Sequence, residues 1–96
     1  MAMAIGICTL RLSMPLNQDL KAKRRVLQSV IANVRAAFNV SIAEVGEHDK
    51  WQVATLGIAA VSTDSGYLHG LLTKAVRLVE DMRLDATVLD YEIEIL

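Results

Sequence analysis

The sequence predicts an α+β domain with elements in the order βαββαβ. Three observations carry that expectation. Two separate stretches repeat apolar residues at helical spacing, and three apolar runs of strand composition lie around them. The tail, ATVLDYEIEIL, alternates residue by residue as a half-buried strand does. Ninety-six residues suit one compact domain and leave little room for a second.

Each element can be justified in order. AIGICTLRLSM is rich in β-compatible residues and is closed by Ser13-Met14-Pro15, which predicts a strand over residues 3–13. Asn17, Gln18 and Asp19 then offer N-cap oxygens. Leu20, Leu27, Val30, Ile31, Val34 and Phe38 form one apolar stripe, so a helix runs from 19 to 37. It should end near Asn39, a residue that tolerates the left-handed conformation. VSIAEV (40–45) reads as a short strand and GEHDK (46–50) as a polar turn. WQVATLGIAAVS (51–62) reads as a central strand, in which Gly57 marks a bulge or a close backbone approach. STDSG caps a second helix from about Ser65 to about Arg83, striped by Leu68, Leu71, Leu72, Ala75, Leu78, Val79 and Met82. In the tail, Thr87, Leu89, Tyr91, Ile93 and Ile95 should face one way, and Val88, Asp90, Glu92 and Glu94 the other.

Two split βαβ halves with right-handed crossovers give a ferredoxin-like plait. It is a four-stranded antiparallel sheet with both helices on one face and strands one and three in the middle. The opposite face is then bare. Strand one is nevertheless apolar on both parities (Ile5 and Ile7; Cys8, Leu10 and Leu12), as is strand three (Trp51 and Val53; Leu56 and Ile58). A strand apolar on both sides expects cover on both sides. The expectation is a homodimer, packing through that face with Ile5, Ile7, Trp51 and Val53 in the interface, or joining by edge strands.

Composition narrows the classes. Apolar residues make up 53% of the chain and only four residues are aromatic, so the core must be aliphatic. Cys8 is the lone cysteine, which excludes an internal disulfide and reads as a small buried hydrophobe. The apolar opening has no basic side chain before it and is too short to span a bilayer, so the expected address is cytoplasmic. Charge is unevenly placed. Residues 1–50 carry seven Lys/Arg against four Asp/Glu, and residues 51–96 carry three against seven.

The densest charge is in DLKAKRRVLQ, where Lys21, Lys23, Arg24 and Arg25 fall within five positions. On a helix, Lys21, Arg24, Arg25, Gln28 and Arg35 cluster beside the apolar stripe, with Lys23 on its other flank. These six are the candidate nucleic-acid contacts, since Lys and Arg neutralise phosphates and release counterions. The plainer alternative is a solvated face whose long stems cover the core edge. Placement favours the first, because the helix dipole disfavours cations in the opening turns. Glu44, Glu47, His48 and Asp49 could ligate a divalent metal, but their spacing matches no ligand pattern, and polar hairpin tips have this composition by default. Asp90, Glu92 and Glu94 read as an exposed or partner-facing stripe, with Arg11 a plausible counter-charge on strand one. There is no glycine-rich phosphate loop and no paired-cysteine motif, so no cofactor is expected and an enzyme is not. Stacking aromatics are missing from strand one, leaving Trp51 as the sole candidate for contact with an unpaired base.

The stretch from Ser13 to Asp64 resembles the YlxP-like family of small bacterial proteins of unknown function. The family pattern is matched at Leu20, Lys21, Lys23 and Arg24, at Phe38 to Ser41, at Ala43 to Val45, and at Trp51 and Gln52. Asp19 stands where the family has Ser, and Ala22 where it has Glu. Asp still caps a helix, and loss of the acid makes the patch more basic. The resemblance implies a ferredoxin-like fold and genes placed beside transcription and translation factors; it brings no established activity. The function read from the sequence is a non-catalytic module that binds RNA or the ribosome through the basic start of helix one. The alternative is an assembly protein that forms a homo-oligomer and recruits a partner through its open sheet face.

Overall fold

A computed structural model describes residues 2–82 and 86–96. The elements are β1 (Ala4–Ser13), α1 (Leu20–Ala37), β2 (Ser41–Gly46), β3 (Val53–Ser62), α2 (Ser65–Asp81) and β4 (Thr87–Ile95). The expected end of the second helix at Arg83 lies outside the described residues. One antiparallel sheet has the order β2-β3-β1-β4, which puts β1 and β3 in the middle as the split βαβ argument requires. Each helix starts where its cap lies. Asp19 Oδ1 accepts from the Ala22 amide at 2.7 Å, and Asp64 Oδ1 accepts from the Tyr67 amide at 3.1 Å.

Side-chain alternation decides where the core sits. Cys8, Leu10 and Leu12 of β1 stand opposite Ile58, Leu56 and Ala54 of β3, all fully buried, and Ile42 of β2 pairs with Ile58. The helices close this layer with Leu27, Val30 and Val34 from α1 and Leu68, Leu72, Ala75, Val76 and Val79 from α2. Partly buried Ile31, Phe38, Leu78 and Met82 fill in around them. Gly6 permits the close approach of α2 to β1, since a Cβ there would stand 2.9 Å from Leu72 Cδ1 and 3.2 Å from Leu68 Cβ.

Four expectations need correction. The helix α1 does not end on a left-handed Asn39. Its cap is Phe38, extended at φ −137°, whose amide returns to the Val34 carbonyl. Gly57 carries no bulge; its missing side chain makes room for Val45, whose Cγ1 would lie 3.0 Å from an added Cβ. The bulges lie at Glu44/Gly46 and opposite Arg11/Leu12. The second of these breaks the alternation of β4, because Arg11 pairs with Asp90 while Leu12 pairs with Val88. Val88 therefore packs on the core, and Leu89 is left as the extra, exposed residue. Finally, β3 begins at Val53, so Trp51 lies in the preceding turn rather than on the strand with Val53.

Candidate functional site

The start of α1 is positioned by the β2–β3 turn, and the positioning residue is Lys23. It is the one cation of the basic stretch that is buried, at 2% exposure. Its Nζ donates to the Glu47 carbonyl at 2.6 Å and stands 2.8 Å from Glu44 Oε2. The latter contact is a charge pair without hydrogen-bond geometry, which leaves Glu44 Oε2 unbonded in the interior. An ammonium sealed this way cannot meet a ligand. Lys23 leaves the set of candidate nucleic-acid contacts and becomes the bolt that fastens the helix start to the turn.

The turn itself is held from both sides. Glu47 adopts φ 60°, the left-handed region that non-glycine residues seldom occupy. Its carbonyl accepts from Lys23 Nζ and from the Lys50 amide at 3.1 Å. Its carboxylate accepts from Thr55 Oγ1 at 2.9 Å and Arg11 Nη2 at 3.3 Å, with Lys50 Nζ at 3.7 Å. The Thr55 hydroxyl, aided by the Arg11 guanidinium, holds the Glu47 carboxyl below its ordinary 4.5, against partial desolvation. Arg11 also reaches Asp90 at 3.8 Å, which answers one of the three acids of β4 as its counter-charge role required. The acids around the hairpin are thus dispersed. Glu44 turns to Lys23 under the helices, and Glu47 turns to Arg11 and Thr55 on the bare face.

A second clasp ties the β1–α1 loop to the same turn. The Met14 amide donates to the Gln52 carbonyl at 2.7 Å, and Asn17 Nδ2, on a buried side chain, donates to the Trp51 carbonyl at 3.2 Å. Gln52 Nε2 returns to the carbonyls of Pro15 and Asn17 at 3.1 and 3.2 Å. One end of the molecule therefore gathers the helix start, the 47–52 turn and the loop between β1 and α1.

The remaining members of the ridge are exposed: Lys21, Arg24, Arg25, Gln28 and Arg35. Among the described residues none of Lys21, Arg24 and Arg25, nor Lys74 and Arg77 of α2, has a carboxylate within ion-pair reach, whereas Lys23 and Lys50 each have one and Arg11 has two. Arg35 is partly committed, donating from Nη2 to the Ile42 carbonyl of β2 at 3.1 Å. Of the expected interface set, Ile5 and Ile7 lie half-buried on the uncovered face, opposite Val61, which is exposed, and Ala59, while Val53 is on the same face but at the far end of the strands, opposite Ser13. Cys8 is buried under the helices, and its thiol is pushed up to about 11 by desolvation, which leaves it a poor nucleophile. Among the described residues no helix is long and apolar enough to cross a membrane.

An α+β plait with a basic helix start bolted to a tryptophan-bearing turn is thus the class of protein defined by fold and site. The chain belongs to the family described as protein of unknown function (DUF503), whose model matches residues 5–93. It is 52% identical over 45 residues to the uncharacterized protein YlxP of Bacillus subtilis (strain 168). That match covers 47% of this chain and 49% of the relative, about half of its length. Two solved structures are similar in fold. The de novo designed protein Foldit4 aligns at TM-score 0.53 and 13% identity, over 98% of this chain and 96% of its own. LarC2, the C-terminal domain of a cyclometallase involved in the synthesis of the NPN cofactor of lactate racemase, aligns at TM-score 0.53 and 13% identity, over 97% of this chain and 54% of its own. At that identity both likenesses speak for the fold alone.

Proposed function

We propose that this protein is a non-catalytic binding module that contacts RNA, free or within the ribosome, through Lys21, Arg24, Arg25 and Gln28 at the start of α1. One observation carries the reading. The three cations stand exposed within five positions of one another at the start of α1 and have no acidic partner among the described residues, so their charge is concentrated and unanswered there, although Arg35, Lys74 and Arg77 are without acidic partners too. Positive charge in the opening turns works against the helix dipole, and the one acid at this end, the N-cap Asp19, is committed to the Ala22 amide. A phosphate would relieve it, and a chain of phosphates would do so along the ridge.

The test is charge reversal of Lys21, Arg24 and Arg25 together to Glu, read by the mobility of total RNA at low and high salt. The parent should retard RNA, with a log–log salt slope of about −0.7 for each phosphate neutralised on a single strand. The triple variant should not retard it, yet should melt at the same temperature or slightly higher, because the three side chains lie outside the core and an acid at position 21, in the first turn, suits this helix end by about 0.3–1 kcal/mol. If the variant binds as the parent does, or the parent fails at low salt, the ridge is a solvated face.

A second reading rests on the uncovered sheet face, where Ile5, Ile7, Val53, Ala59 and Val61 leave apolar surface in water. There the chain would be an assembly protein, pairing with a second copy across that face. A monomer by light scattering at micromolar concentration would remove this reading.

A further inference from the structure

We propose that the uncovered sheet face binds a second copy of this chain through a twofold axis that runs along the strands. The two sheets stack with strands aligned, and β4 of each protomer lies over β2 of its partner. The proposal rests on the assembly reading above and gives it a geometry. Strand register lays out what the face offers. At one end Val61 of β3 stands beside Ile5 of β1. The next row across the sheet is Ser41, Ala59, Ile7 and Glu94, and the row after it is Ala43, Gly57, Thr9 and Glu92. The face is thus apolar in the middle, small along its β2 edge and acidic along its β4 edge. Among the described residues Glu92 and Glu94 have no cation within ion-pair reach.

The acidic edge decides how a second copy can sit. Two twofold arrangements stack the sheets with strands aligned, about 10 Å apart. An axis across the strands sets β4 upon β4, so that these acids meet the same acids of the partner where water is excluded. Such like-charge contacts are repelled. Joining the sheets edge to edge through β4 sets the acidic row against itself as well. An axis along the strands sets β1 upon β3 and β4 upon β2, and no acid then meets an acid. Ile5 stands over the partner's Val61, Ile7 over the partner's Ala59, and Thr9 over the partner's Gly57. The last is a knob above a hole, because an open hollow of about 350 Å³ lies over Gly57 between Ile7, Ala43, Val45 and Ala59. Arg11 brings its charge already answered by Glu47 and Asp90. The partner's Glu94 stands over Ser41, at the free edge of β2, where Arg35 holds its guanidinium. Arg35 commits one N–H to the Ile42 carbonyl at 3.1 Å and has no acid of its own chain within ion-pair reach among the described residues. An acid and a cation, each unpaired at home, are thus brought together twice across the axis.

Light scattering of the full chain at micromolar concentration should give twice the mass of one protomer. Glu94→Arg sets a cation against the partner's Arg35, and Arg35→Glu sets an acid against the partner's Glu94. Each should weaken dimerisation about tenfold or more, read by sedimentation equilibrium over a concentration series. The two substitutions in one chain restore opposite charges and should recover most of the loss. Circular dichroism should show all three variants folded, since both side chains are exposed. If the parent is a dimer that neither reversal weakens, or if the paired variant dissociates as the single ones do, this geometry is overturned and assembly through another surface stands. A monomeric parent overturns the geometry and the assembly reading together.

Discussion

Lys23→Ala is expected to destabilise the fold by about 3–5 kcal/mol, because it removes one partner of a buried ion pair and strands the other. Glu44 Oε2 would be left in the interior with neither counter-charge nor hydrogen bond, and the Glu47 carbonyl would lose a 2.6 Å donor. A domain of this size is stable by about 5–15 kcal/mol in all, so the loss is a large part of the whole. Chemical denaturation should report it as a lower midpoint at unchanged slope. Replacing the pair together, as Lys23→Met with Glu44→Gln, should cost less than Lys23→Ala alone, since no buried charge is orphaned. A Lys23→Ala protein within about 1 kcal/mol of the parent would mean that water reaches Glu44 freely and that the pair holds nothing.

Gly6→Val is expected to cost about 3 kcal/mol, the upper end of what overpacking imposes. The added Cβ alone would stand 2.9 Å from Leu72 Cδ1, a tip that can swing aside, and 3.2 Å from Leu68 Cβ, which the backbone of α2 fixes. Both leucines are fully buried, so the γ-methyls have no empty space to enter. Helix α2 must lift from the sheet. At roughly 4–8 °C per kcal/mol for a domain of this length, the melting temperature should drop by at least about 10 °C. Gly6→Ala should fall between. Better strand propensity returns at most about 1 kcal/mol, so a Gly6→Val protein as stable as the parent would show that α2 does not pack as closely as described.

How much of this was legible beforehand differs from element to element. Order, sheet topology and both helix caps follow from local chemistry that packing does not override: the aspartates at 19 and 64, two apolar stripes, and strands bounded by turns. Lys23 was also legible, and its placement on the flank of the stripe is the arithmetic slip. Lys23, Leu27, Val30 and Val34 stand at i, i+4, i+7 and i+11, the buried face of α1, so a lysine there has to find an acid. The break in β4 was not legible. A bulge inserts one residue into a period of two, and nothing in Val88-Leu89-Asp90 marks which residue is the extra one. Nor was the turn conformation. Gly46 is the obvious residue for a positive φ, yet Glu47 adopts it, because Lys23, Thr55 and Arg11 converge from three elements remote in sequence. The fixed backbone at Trp51 has the same origin, since its clasp joins residues 14–17 to 51–52.

The central position of β1 has a consequence for the order in which the chain can fold. Both of its neighbours, β3 and β4, come later in the sequence, and the nearest pairing joins Ser13 to Val53. A ribosome making this chain therefore releases β1 and all of α1 before either strand partner of β1 exists. The one strand pairing available locally is the β2–β3 hairpin, closed by the Glu47 turn. Until β3 emerges, Cys8, Leu10 and Leu12 have no strand to pair with, and the entropy of closing the long loop must be met before those contacts repay it. The domain should thus set late and all at once, with the hairpin as the template on which β1 docks and β4 as the strand that seals the far edge.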